Sequence, residues 1–156
     1  MLEIPAADRS QLPSLSATYA AATDRRDYAA IGALFEADGR LAITFPGEPE
    51  DAIVGPEAIA QYVGEATDRW QGTFHFVGQQ RAEIHGNEAT SETYSIAGHR
   101  MEKDGAFWNV LLNVRYLDKA RRTDNVWRFV ERRTVVDWSE THLIDPPADS
   151  ARMPNG

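Results

Sequence analysis

TFHFVGQQRAEIHGNEATSETYSIAGH, residues 73–99, reads as two strands around one tight turn, and it sets the fold of the whole chain. Runs 73–85 and 88–99 are rich in β-branched and aromatic residues, and the HGN between them is turn-forming. Two more such runs follow, 107–119 and 126–138, after the short connections EKDG and ARRTDN. Connections this short join antiparallel neighbours, so the second half of the chain is predicted to be a four-strand meander of hairpins.

The first half has a different period. Leu12, Leu15, Tyr19 and Ala22 recur at steps of three and four, an apolar stripe on one helix face that should end near TDRRD. Asp27 can cap a second helix, YAAIGALFEA (28–37), striped by Tyr28, Ile31, Leu34 and Phe35. GRLAITF (39–45) reads as a strand followed by a turn-rich loop, PGEPED. In GPEAIAQYVGEATDRW, Pro56 suits a first helical position, and Ile59, Tyr62, Val63 and Ala66 keep helical spacing. The order is thus helix, helix, strand, helix and four strands, a segregated α+β arrangement with a curved antiparallel sheet wrapping three N-terminal helices on its concave side. Residues 1–11 read as a polar arm, 12–140 as one domain and 141–156 as a flexible tail.

Composition narrows the chemistry. At 156 residues the chain can enclose one core and a ligand-sized pocket. It has no cysteine, which removes disulfides, thiol nucleophiles and thiolate metal sites. The net charge of −8 opposes a phosphate backbone, so nucleic acid is not an expected partner. No apolar run nears the roughly 20 residues of a membrane span. MLEIPAADRSQLPSL lacks the basic start and apolar stretch of a secretion signal, which makes a cytoplasmic location the expectation. No H-x-H, H-E-x-x-H, G-x-G-x-x-G, Walker A or G-x-S-x-G pattern is present, so neither metal nor cofactor is expected.

His75 is the residue that a plain buried strand does not need. On an alternating strand it shares a face with Thr73 and Val77, and Phe74 and Phe76 share the other. Both faces are apolar enough to be covered, and alternation alone does not tell which one meets a cavity. Arg132 and Arg133 fall on opposite faces of the last strand, so at most one points inward. Asn109 shares a face with Leu111 and Asn113, a polar patch in an apolar strand. The opposite reading has Trp108, Val110, Leu112, Val114 and Tyr116 packing inward. His99 near a hairpin end, His85 beside the turn and His142 near the C-terminus read as solvent-exposed.

YAAATDRRDYAAIGALFEADGRL, then FHFVGQQ some fifty residues on, and finally VWRFVERRTVVDW resemble the SnoaL-like branch of the nuclear transport factor 2-like superfamily over residues 12–140. The resemblance implies a cone-shaped α+β barrel with an apolar pocket at its mouth. Within the branch, the chain is most similar to scytalone dehydratase, bile-acid 7α-dehydratase and hexachlorocyclohexane dehydrochlorinase. These share an aspartate at the end of the first helix and a histidine on the strand after the third, matched here by Asp24 and His75. Tyr19 matches the tyrosine that the bile-acid enzyme places five residues before the aspartate. The second histidine of scytalone dehydratase aligns with Phe107 or Asn109.

This resemblance implies cofactor-free proton abstraction from a small hydrophobic organic molecule. His75 would be the base, Asp24 would hold its ring, and Tyr19 would polarise a carbonyl or assist a departing hydroxide. Dehydratase-like elimination ranks ahead of isomerisation or polyketide-cyclase-like closure. Tyr94, Asn109 and Arg133 are candidate substrate-binding residues. A homodimer or homotrimer is expected. The alternative is a non-catalytic ligand-binding or assembly subunit, such as the small subunit of a ring-hydroxylating dioxygenase.

Overall fold

The structure is a computed structural model that describes residues 6–45, 47 and 51–147, with side chains from residue 10 onward. Three helices lie on one side of a curved six-stranded sheet: α1 (Ala6–Arg25), α2 (Tyr28–Ala33), β1 (Phe35–Thr44), β2 (Ala52–Val54), α3 (Pro56–Asp68), β3 (Gly72–His85), β4 (Glu88–Lys103), β5 (Ala106–Thr123) and β6 (Val126–Ile144). Sheet order is β2-β1-β6-β5-β4-β3, so β2 and β3 are its edges and the sheet does not close into a barrel. The β3–β6 meander is antiparallel as its short turns require, whereas β1 runs parallel to β6. That parallel pair needs a long crossover, and α3 with the meander provides it.

Several boundaries differ from the reading of the sequence. Helix α1 already begins at Ala6, so residues 6–11 of the expected arm are helical; residues 1–5 lie outside the described residues. Helix α2 stops at Ala33, and Phe35 opens β1 instead of closing a helix. Phe35 is nevertheless buried, because the Phe129 N–H bonds the Leu34 carbonyl at 2.8 Å and brings the start of β1 onto β6. Strand β6 runs to Ile144, so residues 141–144 of the expected tail belong to the sheet. Residues 148–156 lie outside the described residues. The short β2, which pairs antiparallel with β1, has no counterpart in the sequence reading.

The core lies between the helices and the sheet's inner face. Leu12, Leu15, Tyr19 and Ala22 of α1 meet Ile31, Phe35, Leu41, Ile59, Val63 and Phe129, so the predicted stripe on α1 is the buried one. Arg132 sits inside this core with none of its surface exposed. Its Nε and Nη2 donate to the Asp118 carboxylate at 2.9 and 2.7 Å, and Nη2 also donates to Ser16 Oγ at 2.7 Å. The rings of Tyr19, Tyr116 and Phe129 enclose the guanidinium, with centroids 4.1–4.5 Å away. This buried cation, paired and ring-stacked, ties α1, β5 and β6 together.

Candidate active site

The TDRRD segment turns the chain so that Asp24 faces the sheet. Arg26 takes the left-handed conformation (φ 58°) that ends α1, and its N–H bonds the Thr23 carbonyl at 3.1 Å. Its guanidinium reaches the Trp70 carbonyl at 2.8 Å and fastens this turn to the end of α3. Asp27 caps α2, accepting from the Ala30 N–H at 3.1 Å. Asp24 therefore does no capping. Its carboxylate is directed at β3, which packs against α1.

There it meets three donors. The Thr73 hydroxyl donates to Asp24 Oδ1 at 2.9 Å, the His75 backbone N–H to Oδ2 at 2.9 Å, and His75 Nδ1 lies 2.7 Å from Oδ1. Burial alone would raise the carboxyl's pKa, but the hydrogen bonds from the His75 ring and backbone and from Thr73 outweigh it and hold Asp24 below its ordinary value. An ionised carboxylate only accepts, so the proton between the two side chains sits on His75 Nδ1. That leaves Nε2 as the ring nitrogen that can exchange a proton with a substrate.

His75 is 8% exposed and lines a cavity of about 220 Å³ between α1, α3 and the inner face of the sheet. Ile43, Val63, Leu112, Val114 and Val136 supply apolar wall, and Phe45, Tyr62, Arg69 and Trp70 also line it. Tyr19 lines it as well, buried, its ring packed edge-on against Phe35, Tyr116 and Phe129. Burial raises the Tyr19 hydroxyl pKa far above its usual value, against the opposing pull of Arg132, so it stays a protonated donor. The structure thus brings His75 and Tyr19 to one cavity, with Asp24 bonded to the His75 ring but not itself part of the lining.

It does not bring the other three candidates there. Tyr94 is half-exposed on the opposite face of the sheet, and Asn109 lines a groove on that same outer face. The inward set on β5 is Leu112, Val114 and Tyr116, the alternative reading of that strand. Arg133 does not line the cavity; the inward arginine is Arg132, held by Asp118 in the core. Register shifts at Lys119/Ala120 and Asn113/Val114 change which residues of β6 point in, so counting along the strand misplaces them.

The cavity also holds residues that sequence reasoning missed. His99 is half-buried, its ring 5.9 Å from that of His75 and nearly perpendicular to it, with Trp70 packed on it at 5.1 Å. Burial, and then the neighbouring His75, lower its pKa and keep it neutral. Its Nδ1 lies 3.4 Å from the Val110 carbonyl. The second histidine therefore comes from β4, not from the position of Phe107 or Asn109 on β5. The signal was in the hairpin register: counting back from the His85–Glu88 pair sets residue 75 opposite 98, and a bulge after Val77 moves the partner to Ala97, leaving His99 opposite Thr73. Tyr116, which the alternative reading of β5 turned inward without giving it a role, is a buried hydroxyl-bearing ring on the cavity wall. Among the described residues, no group of three or more histidine and carboxylate side chains is placed to hold a metal ion.

A histidine braced by a carboxylate, inside a mostly apolar cavity under an open curved sheet, defines a class: α+β pocket proteins. The model of the SnoaL-like domain family matches residues 5–133, and the chain belongs to that family. Solved structures share its fold. A hexachlorocyclohexane dehydrochlorinase (LinA) type 2 superposes with a TM-score of 0.76 at 16% identity, covering 90% of this chain and 95% of that one. A candidate scytalone dehydratase from Novosphingobium aromaticivorans gives 0.74 at 19% identity, covering 90% of each chain. A nuclear transport factor 2-like protein with a cystatin-like fold, from the same species, gives 0.66 at 27% identity, covering 83% and 82%. No curated protein sequence matches the chain. No described helix is long and apolar enough to cross a membrane.

Proposed function

We propose that the chain is a cofactor-free lyase or isomerase that uses the His75–Asp24 dyad to remove an acidic proton from a small hydrophobic organic molecule. The observation that carries this reading is the 2.7 Å contact between His75 Nδ1 and Asp24 Oδ1, with the same histidine on the wall of a mostly apolar cavity. His75 Nε2 takes a proton from carbon beside a carbonyl, and the Asp24 carboxylate stabilises the imidazolium that results. The Tyr19 hydroxyl donates to the oxygen on which charge develops. In elimination, the electron pair of the broken C–H bond forms the new double bond as C–O breaks. The departing hydroxide then takes the proton from the imidazolium, releasing water and restoring the base. Neutral His99, on the same wall, is placed to hold a polar group of the substrate.

Elimination ranks first because dehydratase and dehydrochlorinase folds are among the neighbours. Isomerisation and aldol-type cyclisation use the same base. A cytoplasmic location and assembly as a homodimer or homotrimer belong to this reading; cell fractionation and light scattering test them. The mechanistic test is a panel of β-hydroxy ketones and related carbonyl compounds in D₂O, with α-proton exchange followed by NMR. Exchange lost in both His75→Ala and Asp24→Asn is the expected result. Full exchange in both variants removes the dyad and leaves the non-catalytic binding or assembly subunit as the better account.

A further inference from the structure

Among the described residues that line the His75 cavity, Arg69 is the one arginine, and no carboxylate joins it there. Arg69 follows α3 directly and is exposed, which puts it at the cavity's open end. Tyr62, Ala66 and Arg69 fall at steps of four and three, so the arginine continues the face that α3 turns towards the cavity. The segment is fixed in place: the Trp70 N–H bonds the Thr67 carbonyl at 3.0 Å, and the Arg26 guanidinium holds the Trp70 carbonyl at 2.8 Å.

The acids near Arg69 are engaged elsewhere. Asp68 pairs with Arg26 and accepts from the Tyr28 hydroxyl, and Glu65, one turn back on α3, accepts from Gln61 at 2.9 Å. Asp24, behind His75, is taken up by its three donors. An arginine at a helix end ordinarily does no more than offset the carbonyl end of the dipole. This one also lines a mostly apolar cavity whose other polar side chains are hydroxyls, imidazoles and an indole. In a chain of net charge −8, a cation at that opening decides where an anion can be held.

We infer that the substrate of this cavity is a small cyclic organic acid, its carboxylate on Arg69 at the opening and its ring against the aromatic and aliphatic wall further in. A planar guanidinium meets a carboxylate with two parallel N–H groups. The cavity's volume of about 220 Å³ lies below the roughly 300–1,000 Å³ of ordinary ligand sites, so it suits one ring with a short arm and not a fused polycycle. One arginine in an acidic chain suits a single carboxylate better than a string of phosphates. The inference names the substrate class of the proposed function and rests on that reading for the reaction; the holding of the acid does not require His75 to turn it over.

The test titrates phenylpropanoate and cyclohexylpropanoate, each with its amide as the uncharged control, into the full chain and follows methyl NMR shifts. The acids are expected to move the signals of Ile43, Leu112 and Val136, and to bind about three- to tenfold more tightly than the amides. Arg69→Gln should remove that preference and leave the amides unchanged, Arg69→Lys should restore part of it, and His75→Ala should keep it. Equal affinity for acid and amide, an unchanged Arg69→Gln variant, or no shift from either acid at millimolar concentration would overturn the inference. A preference lost in His75→Ala and kept in Arg69→Gln would put the carboxylate on the imidazole, and shifts confined to Ile96, Leu111 and Ile144 would put it outside the cavity; either sinks the Arg69 site. If the exchange experiment fails while the acid preference follows Arg69, the acid site stands without the dyad chemistry. Exchange of neutral ketones with no preference for acids leaves the dyad standing and removes this inference.

Discussion

Two groups that the chain separates by fifty residues, Asp24 and His75, acquire their chemistry only from each other. The carboxylate keeps the imidazole proton on Nδ1, and the imidazole and its own backbone N–H keep the carboxylate ionised. Removing the base should lower turnover by about 10²–10⁴-fold in His75→Ala, the usual worth of a positioned general base, measured on the first substrate found to exchange. Asp24 also links stability to pH. Its folded pKa lies below the unfolded value of about 3.9, so the unfolded chain binds its proton first as the solution is acidified. Its contribution is fully present above that value and is lost as pH falls through the folded pKa. The stability gap between wild type and Asp24→Asn, read from urea midpoints, should therefore close as pH falls below about 3.9.

At the scale of elements, the fold depends on close approaches that a residue list does not advertise. A Cβ on Gly32 of α2 would lie 2.9 Å from the Pro56 carbonyl oxygen at the start of α3. Gly32→Ala should cost about 1–3 kcal/mol by overpacking, seen as a lower melting temperature with the dyad untouched. The Ser16–Arg132–Asp118 cluster joins three elements, and breaking it from one side strands a charge in the core. Arg132→Met alone should lose about 3–5 kcal/mol, and the double change Arg132→Met with Asp118→Leu should recover much of it. Denaturant unfolding of the three proteins checks both statements. Hairpins, helix stripes and the Asp27 cap were legible because short-range periodicity and turn chemistry set them. The end of α2 and the inward residues of β6 were not, since a parallel partner decides the first and bulges decide the second.

For the whole molecule, the same linkage predicts the direction of acid unfolding. Burial lowers the His99 pKa, so its contribution to stability is present above the ordinary value of about 6.5 and is lost as pH falls through the folded pKa. Asp24 and Asp137, both held low by hydrogen-bonded partners, add losses of the same sign in the carboxylate range. Urea midpoints at pH 8, 5.5 and 3.5 should fall in that order. An invariant midpoint between pH 8 and 5.5 would mean that His99 titrates alike in both states.

The sequence by itself determined the α+β order, the meander and the stripe on α1, because helical period, strand composition and turns act over a few neighbours, whereas Asp24, His75 and Tyr19 were singled out by resemblance to a family. The tertiary structure alone decided which sheet face is inside, that Arg132 and not Arg133 turns inward, and that Tyr94 and Asn109 face away from the cavity. It also brought His99 to the side of His75. Those outcomes depend on strand register, on bulges that reverse alternation and on the parallel closure of β1 onto β6, contacts between residues that are far apart along the chain.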